Sequence, residues 1–105
     1  MKTQNDLLGV LSRHIGRERA AGAAALAREL GIDTRQLRKL VSELRLEGIA
    51  VCAHPRDGYY IAETVEELEE TCQFLHARSM HALTLESRLR KIPLSDLIGQ
   101  LHLRT

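Results

Sequence analysis

The segment Ala24 to Glu47, AALARELGIDTRQLRKLVSELRLE, constrains this chain more than any other. Leu26 and Leu30 lie four residues apart, and Ala23, Ala24, Ala25 and Ala27 keep the surrounding helix favourable and slim. Gly31 follows and can adopt the left-handed conformation that ends a helix. Ile32 is placed to plug the gap before the next helix. Asp33 stands at the next N-cap with Gln36 three residues on, the spacing of a capping box. Leu37, Leu40, Val41 and Leu44 then recur at three and four residues and define a buried stripe. Thr34, Arg35, Gln36, Arg38, Lys39, Ser42 and Arg45 are left outside, and Gly48 is a natural stop.

A short helix, a tight turn and a second helix with a cationic, hydrogen-bonding outer face form the layout of a helix-turn-helix. Any small helical bundle also has solvated charged faces, so the charge alone proves little. The agreement of cap, glycine and periodicity favours the motif. On this reading Thr34, Arg35, Gln36, Arg38, Lys39 and Ser42 face the major groove of double-stranded DNA. Arg is suited to guanine, Gln to adenine and Lys to phosphate. Glu43 and Glu47 fall farther along, where they repel phosphate less.

The flanking segments extend the pattern. Leu7, Leu8, Leu11 and Ile15 predict a first helix over Asp6–Ile15, capped by Asn5 or Asp6 and ended by Gly16. Arg17, Glu18 and Arg19 form a charged connection. Arg17 and Arg19 are either phosphate clamps or parts of an ordinary solvated loop. After Gly48, Ile49, Val51 and Ala53 alternate with Ala50, Cys52 and His54, as in a strand. Pro55-Arg56-Asp57-Gly58 is a turn signal, and Tyr59, Tyr60 and Ile61 return as a second strand. Arg56 sits at the tip, in reach of a DNA backbone. Tyr59 is expected outward and Tyr60 near the core.

Thr64 and Glu67 suggest another capping box, and residues 65–91 contain neither Pro nor Gly. One helix of roughly 40 Å is expected there, with glutamates in its first turns and Arg88, Arg90 and Lys91 at its end, matching the helix dipole. Leu68, Leu75, Ala82 and Leu89 repeat every seven residues, and the seam fades at Glu86. Pro93 breaks the helix, and Leu94, Leu97, Ile98 and Leu101 form an amphipathic tail. Leu68, Leu75, Ala82, Leu89, Leu97 and Leu101 are the candidate contacts of a homodimer. The alternative is a monomer whose tail folds back. The expected fold is therefore mainly α with a small β-hairpin: a winged helix-turn-helix at 1–62, then a long C-terminal helix and a short tail helix at 63–105.

Composition sets the limits. In a chain of 105 residues with no Trp, one Phe and two Tyr, the core must be aliphatic. Residues 1–62 hold ten Lys/Arg against seven Asp/Glu, and residues 63–105 hold five against seven. The balance excludes a histone-like coat on DNA and permits a local basic patch. Met1 to Asp6 is polar and no long apolar run follows, so neither a signal peptide nor a membrane span is expected. A cytoplasmic protein with reduced Cys52 and Cys72 is the corresponding expectation. Cys72 and His76 share a helix face and Cys52 and His54 a strand face, but the spacing fits no zinc finger or knuckle, so no metal or cofactor is expected. No phosphate loop, nucleophile elbow or Cys-His constellation is present, and an enzyme is not expected.

From Leu26 to Tyr60 the chain resembles the winged-helix domains of bacterial regulators of the biotin-repressor N-terminal and DeoR-like type. The matching residues are LARELGIDTRQLRKLVSELRLEGI and the closing GYYI. Small prophage-encoded winged-helix proteins are similar through GYYIAET and the acidic helix after it. The resemblance implies base contacts from Thr34, Arg35, Gln36, Arg38 and Lys39 and a wing contact from Arg56. It implies a transcriptional regulator of prophage or plasmid type. No effector domain follows the wing in this sequence, so no small-molecule effector is expected. A different class of function is also consistent with the modest basic charge: a protein-interaction adaptor, or a phage replication accessory factor, using the winged helix as a scaffold.

Overall fold

The computed structural model describes the backbone of residues 1–103 and the side chains of residues 1–100. Among these, five α-helices and one two-stranded antiparallel hairpin form the secondary structure, so the protein is mainly helical. The helices are α1 (Gln4–Leu11), α2 (Ala23–Leu30), α3 (Thr34–Leu46), α4 (Val65–Arg90) and α5 (Leu94–Leu103). The strands are β1 (Val51–His54) and β2 (Gly58–Ile61). No helix among the described residues is long and apolar enough to cross a membrane. The chain divides into two compact units, Met1–Thr71 and Cys72–Thr105. The division falls inside α4 rather than at residue 62, because the first turns of α4 are bonded to the segments before them.

In the first unit α1, α2 and α3 surround an aliphatic core. Leu7, Leu11, Leu26, Leu30, Leu37, Val41 and Leu44 are buried there, joined by Val51 of the hairpin. Each such side chain contributes roughly 1.5–3 kcal/mol through its removal from water. The α2–α3 turn forms as its residues dictate. Gly31 takes φ 69°, and the Ile32 amide closes on the Ala27 carbonyl at 2.9 Å. Asp33 Oδ1 accepts the Gln36 amide at 2.7 Å, while Gln36 Oε1 accepts the Asp33 amide at 3.3 Å.

The first helix is shorter and earlier than its apolar spacing suggests. Thr3 is its N-cap, with the Thr3 amide and hydroxyl bonded to Asp6 Oδ2 at 2.7 and 3.1 Å. It ends at Leu11, where the Ser12 hydroxyl bonds back to the Gly9 carbonyl at 2.6 Å. Ile15 is consequently not a helical core residue. It is 44% exposed and forms a parallel bridge with Ile61. Ile61 donates to the His14 carbonyl and accepts from the Gly16 amide, both at 2.8 Å. Ala21 and Tyr59 exchange a second pair of bonds at 2.8 and 2.9 Å. The connection after α1 therefore edges β2 on the side away from β1. Gly58 is confined by this approach, because a Cβ there would lie 2.3 Å from the Ala21 carbonyl oxygen.

Both faces of the hairpin are covered. Val51 pairs with Ile61, and these two with Tyr59 pack on the helical core. Cys52 pairs with Tyr60 on the opposite face, where both are buried and Cys52 Sγ lies 3.6 Å from the Glu67 carbonyl of α4. Tyr60 is the deeper tyrosine as expected, but Tyr59 is not outward: it rests partly buried on the core. Burial raises the Tyr60 phenol above its ordinary pKa.

Thr64 Oγ1 accepts the Glu67 amide at 3.1 Å and starts α4. The Glu67 carboxylate also accepts the Glu63 amide at 2.8 Å and the Arg17 amide at 2.9 Å. In the second unit α4 ends where Lys91 takes φ 57°, the Ile92 amide bonds to the Ser87 carbonyl at 3.1 Å and the Ser87 hydroxyl donates to the Ile92 carbonyl. Leu97 of α5 is buried, at 3% exposure, so the fold itself consumes this side chain and offers none of it to another subunit. The Leu101 side chain lies outside the described residues.

Candidate nucleic-acid interface

The outer face of α3 follows from its inner one. With Leu37, Leu40, Val41 and Leu44 buried, 3.6 residues per turn sets Arg35, Arg38, Lys39, Ser42 and Leu46 along a single outward strip. All five are exposed, as is Thr34 at the first helical position. No acid stands on the strip. Glu43 and Glu47 fall on a flank, where Glu47 Oε1 accepts a hydrogen bond from Gln4 Nε2 at 2.6 Å. Gln36 is also exposed, with its Oε1 committed to the Asp33 cap and its Nε2 left to donate.

Two other arginines of the first unit are engaged. Arg13 pairs with Glu29, and Arg45 Nε donates to the Val51 carbonyl at 2.8 Å. Arg45 is therefore not a purely outward residue: it holds the start of β1. Arg35, Arg38 and Lys39, by contrast, have no ion pair or side-chain hydrogen bond among the described residues.

A second group gathers at the hairpin turn. The short 3-10 turn Arg17–Arg19 is drawn to it by Arg17. Arg17 Nε bonds Asp57 Oδ2 at 2.6 Å, its other nitrogens approach His54 Nε2 at 2.7 Å and Glu70 Oε1 at 3.7 Å, and its amide binds Glu67. The Arg17 hydrogen bond holds the Asp57 carboxyl below the usual carboxylate range, and Asp57 raises the guanidinium in turn. Glu67 is likewise held low, first by the Arg17 amide and then by the Glu63 amide. This arginine is engaged within the chain by Asp57 and His54. Arg19 and Arg56 are exposed and their guanidinium groups carry no partner among the described residues. Arg56 contributes only its amide locally, to His54 Nδ1 at 3.1 Å.

Two features escape a reading of the residues alone. Leu46, at 88% exposure, ends the α3 strip as an apolar side chain in full solvent. Its place outside the buried stripe and four residues past Ser42 is the only signal the sequence offers. His54, considered among metal-binding groups, has its ring nitrogens facing Arg17 and the Arg56 amide. Cys52 is buried in the first unit and Cys72 exposed in the second. Compared with protein-family models, curated proteins and solved structures, the chain has no match among any of the three.

Proposed function

We propose that this protein binds double-stranded DNA as a winged helix, with α3 in the major groove and the hairpin turn on the backbone. The observation that carries this reading is the acid-free strip of Arg35, Arg38, Lys39 and Ser42, whose three cations have no partner among the described residues. An unpaired surface cation keeps its full charge and hydrogen-bonding capacity for a polyanion, whereas Arg13 and Arg17 have surrendered theirs. Thr34, Arg35, Gln36, Arg38 and Ser42 supply the donor types that read base edges, and Lys39, Arg19 and Arg56 supply phosphate contacts. The resemblance of the sequence to bacterial winged-helix regulators favours a role in transcription control. The small hairpin leaves discrimination to α3.

The test is binding to random-sequence duplex DNA by fluorescence anisotropy, followed by selection of the preferred site. On that site Arg38→Ala should cost about 1–3 kcal/mol and relax preference at one base position. A uniform loss over all sequences reassigns Arg38 to phosphate. Absence of wild-type binding at micromolar protein in low salt refutes the proposal.

A further inference from the structure

The second unit carries an apolar stripe with a regular internal symmetry. Leu75, Arg78, Ala82, Glu86 and Leu89 follow the same side of α4 at spacings of three and four residues. Leu75 is 42% and Leu89 84% exposed, and Phe74 and Leu85 beside them are 52% and 51% exposed. Arg78 and Ala82 are exposed as well, and Arg78 has no ion pair among the described residues. Four large apolar side chains left in water over about 21 Å of helix call for a cover.

The order of residues specifies the cover. Ala82 is the midpoint: Leu75 lies seven residues before it and Leu89 seven after, Arg78 four before and Glu86 four after. A second copy of α4 laid antiparallel, with the two-fold axis at Ala82, sets each Leu75 on the partner's Leu89. The same operation sets each Arg78 on the partner's Glu86 and brings the two smallest side chains together where the axes cross. A two-fold contact is self-complementary in this sense, residue i meeting j and j meeting i. A parallel pair would instead place Arg78 on Arg78 and Glu86 on Glu86, opposing like charges. The Glu86 side chain is 41% exposed while bonded to Arg90 Nε at 2.7 Å, so it retains an oxygen for a second cation.

We infer that α4 pairs antiparallel with α4 of a second copy about Ala82, making the protein a homodimer through Leu75, Ala82 and Leu89 with Arg78–Glu86 pairs on either side. Leu68, in the first unit, and buried Leu97 take no part. The inference stands independently of DNA binding and is tested without DNA. Sedimentation equilibrium of the full chain over about 1–100 μM should show particles of twice the 11.8 kDa chain mass. Monomer throughout overturns the pairing. Arg78→Glu should weaken association about tenfold or more, and the exchange Arg78→Glu with Glu86→Arg should restore it. No restoration by the exchange overturns the charge pairing. Orientation is read by oxidation of Leu75→Cys and Leu89→Cys chains, each also carrying Cys72→Ser. Cross-linking only when the two are mixed supports the antiparallel dimer, and cross-linking of either variant alone overturns it. These positions are exposed, so the variants retain the fold.

Discussion

Salt dependence gives the sharpest test of the α3 strip, because its size follows from which cations are free. Arg19, Arg35, Arg38, Lys39 and Arg56 have no partner among the described residues. With Arg35 and Arg38 on base edges and the other three on phosphate, the slope of log K against log salt is about −2.7, at about −0.9 for each phosphate neutralised on B-DNA. Raising salt from about 50 to about 200 mM should then weaken binding by about 40-fold. Removing one phosphate contact, as in Lys39→Ala, should reduce that factor to about 12-fold. Arg13→Ala is the control: Arg13 is bound to Glu29 and should leave the slope unchanged. Anisotropy titrations on a fixed duplex at four salt concentrations measure all three slopes. A wild-type slope near zero, or a slope changed as much by Arg13→Ala as by Lys39→Ala, refutes the assignment of free and engaged cations.

Two predictions concern the scaffold. Asp33→Ala removes the acceptor of the Gln36 amide and should cost about 1 kcal/mol in urea unfolding, with Gln36→Ala non-additive because the two side chains cap one helix end reciprocally. Asp57, Glu67 and Asp6 all titrate below their ordinary values in the fold, so the unfolded chain takes up protons first as pH falls. Their stabilisation is complete above the unfolded carboxyl range near about pH 4 and is lost as pH drops through the lower folded values. Urea midpoints should fall from about pH 5 to about pH 2, less steeply in Asp57→Asn; equal slopes in variant and wild type contradict the Arg17 linkage.

The elements legible in the sequence are those fixed by near neighbours. Gly31, the Asp33–Gln36 box and the spacing of Leu37, Leu40, Val41 and Leu44 act within a few residues, and the structure reproduces them. Pro55 to Gly58 announces its turn for the same reason. What escaped depends on residues far apart in sequence. The bridges of Ile15 and Ala21 to β2 use backbone groups in a polar segment without alternation. Arg17 reads as a free cation until Asp57, forty residues later, is brought within 2.6 Å. Arg45 lies outside the leucine stripe by spacing, yet its long side chain bends to Val51. The strip on α3 was readable as a face because burial of one side of a helix fixes the other; which of its charges stay unpaired was not.

The fastening of the hairpin tip by Arg17 has a consequence in entropy. Ordering a residue's backbone costs roughly 1–2 kcal/mol, and a four-residue turn left loose would present that cost at each encounter with a partner. Here His54 and Asp57, on either side of Pro55 and Arg56, are both held by one guanidinium anchored in a different part of the chain. The turn's disorder is given up once, during folding. Whatever meets Arg56 meets a tip already in position, and an arginine that need not touch the partner thereby contributes to the strength of the contact.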